Sequence, residues 1–359
     1  MAAPIKTPGT RRAFALLLLA LSENKVLGTG PNGESPTPPS GFGLTDEELR
    51  HVREMQARAA IVMHYGGNDW SQAQVAGLQT QFAELGIDVV AVTDANFDPR
   101  KQAADIRDVL RAEPDVVVSI PTDPVETAPA YQELIDAGVK LVFMDNVPHG
   151  FRPGEHYVSA VSADNFGNGM VSAHLMAEAL GGHGAVGVVF HDADFFVTRQ
   201  RYEAFSQTIE EQYPGIEIVS RQGISGPNFA ADAEHAAAEM FEQHVELAGL
   251  WAVWDVPAEG VIAAARKLDR RDLVITTVDL GLNVALEIAR GGLVFGLAAQ
   301  RPFDQGVSEA ELAAYGLLGK RAPAYVALPA LPVSKLSVLE AWESVYHKPP
   351  PDELVQAAN

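Results

Sequence analysis

Ten short runs of β-branched and apolar residues recur along this chain, and each is followed by a segment with apolar side chains at helical spacing. The runs lie at 60–63, 88–92, 116–120, 140–144 and 157–161, and after a break at 186–190, 217–219, 250–253, 273–278 and 294–297. Segments between them, such as 74–85, 101–110 and 128–137, repeat their apolar residues every three to four positions. A strand written almost wholly in Val and Ile is buried on both faces, which requires helices packed over both sides of its sheet. Strand–helix repeats of this kind predict parallel sheets. Two series of similar size predict two doubly wound α/β lobes, with the changeover near 162–164 and either Asp164 or Asn165 capping the first helix of the second series. With 359 residues the chain has the length for two such units.

Outside the alternation the chain reads differently. From 28 to 43 it is Gly, Pro, Ser and Thr with almost nothing to bury, the composition of a flexible linker. Thr45 then caps a short charged helix running from Asp46 to about Arg58, with Glu48 as its capping-box partner. The charged, Pro-rich end after Glu343 reads as a surface tail. At the N-terminus, Arg11 and Arg12 precede nine apolar residues, 13–21, the length of a signal-peptide core and too short to span a bilayer. Residues 26–28 would hold the cleavage site, and the paired arginines leave open a twin-arginine or a general secretory route. A stray amphipathic start on a cytosolic protein is the other reading.

Composition excludes several classes. A net charge of −21 opposes nucleic-acid binding, which depends on Lys and Arg neutralising phosphates. The absence of cysteine removes disulfides, thiolate metal sites, a cysteine nucleophile and a lipidated N-terminal cysteine. No G-x-S-x-G elbow, P-loop or H-E-x-x-H pair occurs. His191, Asp192 and Asp194 lack a second ligand set at helical spacing, so they read as a polar loop; His235 and His244, nine apart on one helix, do not read as ligands. No catalytic residue, metal or cofactor is expected.

In open parallel sheets, ligands bind beyond the carboxyl ends of the strands, where loops and helix N-termini converge. The residues that follow the apolar runs are therefore the informative ones. They are Asn68, Asp69 and Trp70; Thr122 and Asp123; Asp145 and Asn146; His191, Asp192, Arg199 and Arg201; Trp254 and Asp255; Asp279; and Gln300. Carboxylates, amides and an arginine beside Trp and Phe suit a sugar or polyol. Each hydroxyl both donates and accepts, and its C–H faces stack on aromatic rings. Simpler roles compete at several positions. Asp123 reads first as a helix cap, Trp70 and Trp254 fit a core or interface as well as a ligand, and Arg201 has Glu203 or Glu210 as partners on its own helix face.

These residues carry a family resemblance. From Ala59 to about Val333 the chain resembles the ribose-type periplasmic sugar-binding proteins, receptors of bacterial sugar ABC importers. The carrying segments are Asn68-Asp69-Trp70-Ser71, Pro121-Thr122-Asp123, Val142-Phe143-Met144-Asp145-Asn146, Ala163-Asp164-Asn165 and Arg199-Gln200-Arg201-Tyr202-Glu203-Ala204-Phe205, with Asp279 and Gln300 late in the chain. The resemblance implies the type I periplasmic-binding fold, two lobes joined by a three-segment hinge near 160–164, 298–301 and 328–332. It also implies ligand contacts from Asn68, Trp70, Asp145 and Asn146, and from Arg201, Phe229, Trp254, Asp255, Asp279 and Gln300. The lobes it implies are 59–163 with 301–329 and 164–300 with 330–345, after a signal peptide at 1–28 and a linker and helix at 29–58, and before a tail at 346–359. The chain departs from the ribose receptors where Ile120 replaces an amide, Asn146 an arginine and Trp254 an asparagine, which points to another sugar, a deoxy sugar or a linear sugar alcohol. LacI-type repressors share such lobes but carry a helix-turn-helix, against which the linker and acidic charge argue. The expectation is a monomeric periplasmic receptor whose partners are a sugar or polyol and an ABC permease, with no nucleic acid. A sensory receptor presenting a sugar or autoinducer to a chemoreceptor or kinase is the alternative, and an enzyme on a related scaffold is a third.

Overall fold

The computed structural model describes residues 26–359, so the apolar run 13–21 of the signal-peptide reading lies outside the described residues. Helix α1 (Asp46–Met55) opens the regular structure, its Thr45–Glu48 capping box closed in both directions. It stops three residues short of Arg58, because Gln56 turns into the left-handed region and Arg58 already begins β1. The first series runs β1 (Arg58–Met63), α2 (Asp69–Leu85), β2 (Asp88–Asp94), α3 (Pro99–Arg111), β3 (Val116–Ser119), α4 (Ala128–Asp136), β4 (Lys140–Met144) and β5 (Ser159–Ala163). The second runs α5 (Asn165–Leu180), β6 (Gly184–His191), α6 (Phe196–Gln212), β7 (Ile216–Ile224), α7 (Phe229–Gln243), β8 (Leu247–Ala252), α8 (Asp255–Lys267), β9 (Val274–Val278), α9 (Leu282–Arg290) and β10 (Val294–Ala299). The chain closes with α10 (Pro302–Leu317), β11 (Tyr325–Leu328), β12 (Leu331–Ser334), α11 (Val338–Tyr346) and α12 (Asp352–Ala358).

Two six-stranded sheets result, ordered β11-β5-β4-β3-β1-β2 and β12-β10-β9-β8-β6-β7. All pairings are parallel except β10 with β12. Burial follows what covers each strand, and even the edge strand β11 is buried throughout where Thr37 bridges to it. Every residue of β3 and β5 is buried, whereas the edge strands β2 and β7 expose alternate side chains. The Val-rich runs thus occupy the positions that helices cover on both faces, where burying each Val or Ile side chain contributes roughly 1.5–3 kcal/mol.

The chain passes between the sheets three times: from β5 into α5, from β10 into α10, and from β11 into β12. At the first passage Asp164 is the helix cap, its carboxylate accepting from the Gly167 amide at 2.9 Å. After the second, α10 packs on α2 at a glycine crossing. A Cβ on Gly77 would lie 2.1 Å from the Phe303 carbonyl oxygen and one on Gly306 2.4 Å from that of Gln74. Only hydrogen fits at either position, and the close approach fixes α2, whose first turn carries Asn68 and Trp70 to the cleft.

Two terminal segments correct the reading from composition. Residues 28–43 are docked rather than a free linker. Thr37 forms a parallel bridge to β11, donating to Tyr325 O at 3.0 Å and accepting from Ala327 N at 3.1 Å. Leu27 and Gly28 donate their amides to Asp164 at 2.8 and 2.9 Å, and Gln200 on α6 donates to Thr29 O at 3.1 Å. The segment has few apolar side chains because much of its docking is through the backbone, with Phe42 packed on the first-lobe core and Asn32 donating to Phe151 O at 3.3 Å. The C-terminal end is likewise no surface tail. Trp342, Tyr346 and Leu354 are buried in the second core, and the Tyr346 hydroxyl donates to Leu280 O at 2.5 Å. Apolar side chains spaced along two short helices anchor a segment whose average composition is polar, with Val338, Ala341 and Val345 buried in the same core.

Candidate functional site

A cavity of about 70 Å³ lies between the carboxyl ends of the two sheets. One water needs roughly 10–15 Å³ on this scale, so the space suits a small molecule. Its lining comes from both lobes, directly after the strands: His64 and Tyr65 after β1, Asn68 and Trp70 at the start of α2, Phe97 after β2, Ile120 after β3 and Asp145 after β4. Opposite them stand His191 at the end of β6, Phe195, Val197, Thr198 and Arg201 at the start of α6, Trp254 after β8, Asp279 after β9 and Gln300 after β10.

The polar side chains form one connected wall. The guanidinium of Arg201, 3% exposed, donates to Asn165 Oδ1 at 2.8 Å, Asp279 Oδ2 at 3.2 Å and Val253 O at 3.4 Å. Gln300 donates to the other Asp279 oxygen at 2.7 Å. Asn165 donates in turn to Ser162 Oγ at 2.8 Å, and Ser162 donates to Asp145 Oδ1 at 2.6 Å. The chain of bonds therefore runs from a first-lobe carboxylate to a second-lobe carboxylate across the passage between sheets. A close helix contact sets Arg201 in place: a Cβ on Gly169 of α5 would sit 2.3 Å from the Arg201 carbonyl oxygen. Asp145 and Asp279 both adopt positive φ, 54° and 71°, as the backbone turns off its strand. Aspartate tolerates that region better than bulkier residues do.

Burial governs the charges. It pushes the Asp145 carboxyl up to about 6, against the Ser162 hydrogen bond and the Arg201 charge, which pull the other way. Asp255, fully enclosed, is raised well above the usual carboxylate range by burial and by the neighbouring Asp279 charge. The two histidines of the lining are both lowered. His64 is lowered to about 3 by burial and by His191. His191 is lowered to about 4, chiefly by burial, with Asp192 opposing and Arg201 assisting. Both imidazoles are neutral near pH 7.

The rest of the lining is aromatic or apolar and interlocks across the cleft. Phe195 of the second lobe stacks on His64 of the first at 6.1 Å, and Phe195 and Val197 join the first-lobe core that holds Trp70 and Ile120. In return Phe97 of the first lobe packs edge-on to Phe229 at 5.1 Å, within the second-lobe core. Trp254 meets Phe229 and His191 at 4.9 and 5.5 Å. Backbone contact also spans the cleft, where Leu282 N donates to Asp69 Oδ2 at 2.8 Å.

The model of the periplasmic binding protein domain matches residues 59–321, which take in every residue of this lining. The chain belongs to the periplasmic binding protein domain family. Its relatives are solute-binding proteins. The ribose import binding protein of Bacillus subtilis (strain 168) is 22% identical over 258 residues, covering 70% of this chain and 79% of that protein. Among solved structures, a solute binding protein of Agrobacterium vitis bound with alpha-D-tagatopyranose matches with a TM-score of 0.74 at 20% identity, over 81% of this chain and 100% of that one. Another, from Bacillus halodurans C-125 with bound myo-inositol, matches with a TM-score of 0.71 at 17% identity, over 81% and 98%. These likenesses establish the two-lobed fold.

In this periplasmic binding protein, seven of the ten residues marked from sequence line the cavity together: Asn68, Trp70, Asp145, Arg201, Trp254, Asp279 and Gln300. Phe229 stands behind Trp254 and His191. Asp255, the first residue of α8, lies outside the lining, its carboxylate accepting from Val256 N at 2.9 Å. Asn146 is buried with both amide atoms lacking a partner among the described residues. Of the competing local roles, Asp123 is not the helix cap expected of it, since Thr127 precedes α4; it closes a turn instead, accepting from Val125 and Glu126 amides at 2.7 Å each. Arg201 ignores Glu203 and Glu210 in favour of Asp279, and Glu210 takes Arg221 instead. Arg199 is an exposed residue paired with Asp194. Among the described residues no group of three or more His, Asp or Glu side chains is placed to hold a metal ion, and no helix is long and apolar enough to cross a membrane. Sequence reasoning missed His64, Tyr65, Phe97, Phe195, Val197 and Asn165. The strand-end rule that selected Asn68 would have reached His64 and Tyr65, but their ring chemistry was not read as polar. Phe97 and Phe195 become lining residues only because the lobes meet.

Proposed function

We propose that this protein is the receptor of an ABC importer, binding a monosaccharide or sugar alcohol between its lobes and delivering it to a membrane permease from the periplasm. One observation carries the reading: a cavity between the lobes lined by a hydrogen-bonded Asp145, Arg201, Asp279 and Gln300 set together with aromatic rings. A carboxylate accepts two hydroxyl protons, a guanidinium donates to ring or hydroxyl oxygens, and the rings cover C–H faces. The net charge of this set, two carboxylates against one arginine already engaged, disfavours an anionic ligand. The sugars and polyols held by the matched solute-binding proteins support the same class.

The ligand contacts are assigned to Asn68, Trp70, Asp145, Arg201, Trp254, Asp279 and Gln300, with Asn146, Phe229 and Asp255 supporting them. The lobes divide as 59–163 with 301–329 and 164–300 with 330 onward, the last two helices included, and the three passages between sheets are the hinge. Closure brings the lobes' contacts together only in the bound state, so the ligand shifts the population towards it. The receptor acts as a monomer after export and needs no cofactor. Titration of the protein with pentoses, hexoses and alditols, followed by tryptophan emission and melting temperature, tests the class. Trp70 and Trp254 sit at the cavity, so binding changes their emission; an unchanged signal and an unchanged melting temperature across the whole panel would exclude a sugar or polyol ligand.

A further inference from the structure

The cavity's linked charged and amide groups lie on the wall from Asp145 to Gln300, and His64, Tyr65, Asn68, His191 and Thr198 add polar atoms elsewhere in the lining, which also carries an apolar patch. Ile120, Trp70, Phe195 and Val197 belong to one packed apolar cluster and all four line the cavity. The backbone of Ile120 is spent as well: its amide donates to Val62 O at 3.3 Å and its carbonyl accepts from Gln102 Nε2 at 2.8 Å. The Thr198 hydroxyl beside this cluster donates to Phe195 O at 3.2 Å and shares a 3.2 Å contact with His191 Nδ1. The Trp70 indole N–H has no partner among the described residues, but it can only donate. A hydroxyl placed against this patch finds no acceptor on the side chains of Ile120, Trp70, Phe195 or Val197.

Resting on the sugar-receptor reading, we propose that the site selects a 6-deoxy sugar, a ring whose polar edge meets Asp145, Arg201, Asp279 and Gln300 and whose methyl group packs on Ile120, Val197 and Phe195. The methyl fills an apolar pocket, which is favourable for burial of each carbon. Its hydroxymethyl counterpart brings an oxygen that must leave water without replacement bonds, a loss of affinity of about tenfold to a hundredfold. Ile120 and Val197 are then specificity-determining residues, and the arginine–carboxylate wall orients the ring without choosing between the two.

Calorimetric titration of the full chain with matched pairs tests this: L-rhamnose with L-mannose, L-fucose with L-galactose, D-fucose with D-galactose, and 6-deoxy-D-glucose with D-glucose. In the pair that binds tightest, the deoxy member is expected to bind at least tenfold more tightly. Equal affinity, or tighter binding of the hydroxylated member, overturns the proposal while leaving the sugar-receptor reading intact. If no member binds but a pentose or alditol does, the proposal also fails alone; if no sugar or alditol binds at all, both fail. Val197→Thr sets a hydroxyl on the apolar wall with little change in size, and Ile120→Asn sets an amide there. Each is expected to reduce the deoxy preference at least threefold by strengthening binding of the hydroxylated sugar. A preference unchanged in Val197→Thr, with the melting temperature maintained, removes these residues from the selection even if Ile120→Asn does not fold.

Discussion

The polar and aromatic walls of the cleft are held together by opposite means. The polar wall is assembled mainly within and beside the second lobe, with Asn165, Arg201, Asp279 and Gln300 bonded to one another and linked to the first lobe through Ser162 and Asp145. It is a buried charged network whose geometry is already set. The aromatic wall exists only by the meeting of the lobes, with Phe195 and Val197 inserted into the first core and Phe97 into the second. One wall orients a ligand, and the other rewards closure around it.

Breaking the polar wall has the largest expected effect. Arg201→Ala leaves the Asp279 carboxylate buried with Gln300 as its remaining side-chain donor, and removing one partner of such a pair costs about 3–5 kcal/mol. Ligand binding should fall more than a hundredfold by calorimetry, and the melting temperature should drop clearly. Binding within threefold of the parent would show that the network is structural scaffolding only.

Phe195→Ala should separate the two walls. Its ring is buried through contact with the opposite lobe, so truncation destabilises the closed state and leaves the open lobes nearly unaltered. Affinity should fall about tenfold to a hundredfold, the burial of one aromatic side chain, with the ligand-free melting temperature almost unchanged. An equal loss of ligand-free stability would mean that the lobes stay packed without ligand.

The next effect is in pH. His64 and His191 are lowered in the closed cleft to about 3 and about 4 from an ordinary 6.5. Groups with depressed histidine values favour the closed state fully above pH 6.5, and that contribution is lost as pH falls towards 4, because the open state takes up the protons. Asp145 acts in the other sense. Its value rises from 3.8 to about 6 on burial, so proton uptake favours closure between those values. Two imidazoles outweigh one carboxyl, and affinity should fall about tenfold net between pH 7.5 and 5.5. His64→Asn with His191→Asn should abolish the fall; an identical pH profile in the double variant would place the titration elsewhere.

The smallest effect is expected at the docked N-terminal segment. Gln200→Ala removes one exposed bond to Thr29 O, and the closed-state stability should change by less than about 0.5 kcal/mol. A larger shift in affinity would make the segment a participant in hinge motion.

Much of this was legible beforehand, and the exceptions have one physical cause. Val116–Ser119 declared a fully covered strand because its burial is a property of the local pattern. Asp145 and Asp279 declared themselves by standing just beyond strand ends. Arg201 could be placed at the cleft but not paired, since its sequence neighbours Glu203 and Glu210 offered the shorter route. Leu354 and Val355 gave one adjacent apolar pair in a Pro-rich, polar stretch, too little to signal docking.

By itself the sequence determined the two parallel sheets and the end of each sheet at which polar residues gather, because strand and helix periodicities are local. Only the tertiary structure decided that Arg201 turns to Asp279, that Phe195 and Phe97 exchange lobes, and that residues 28–43 lie against β11. Each of those depends on atoms far apart in the chain meeting when the lobes close, and no local pattern records such a meeting.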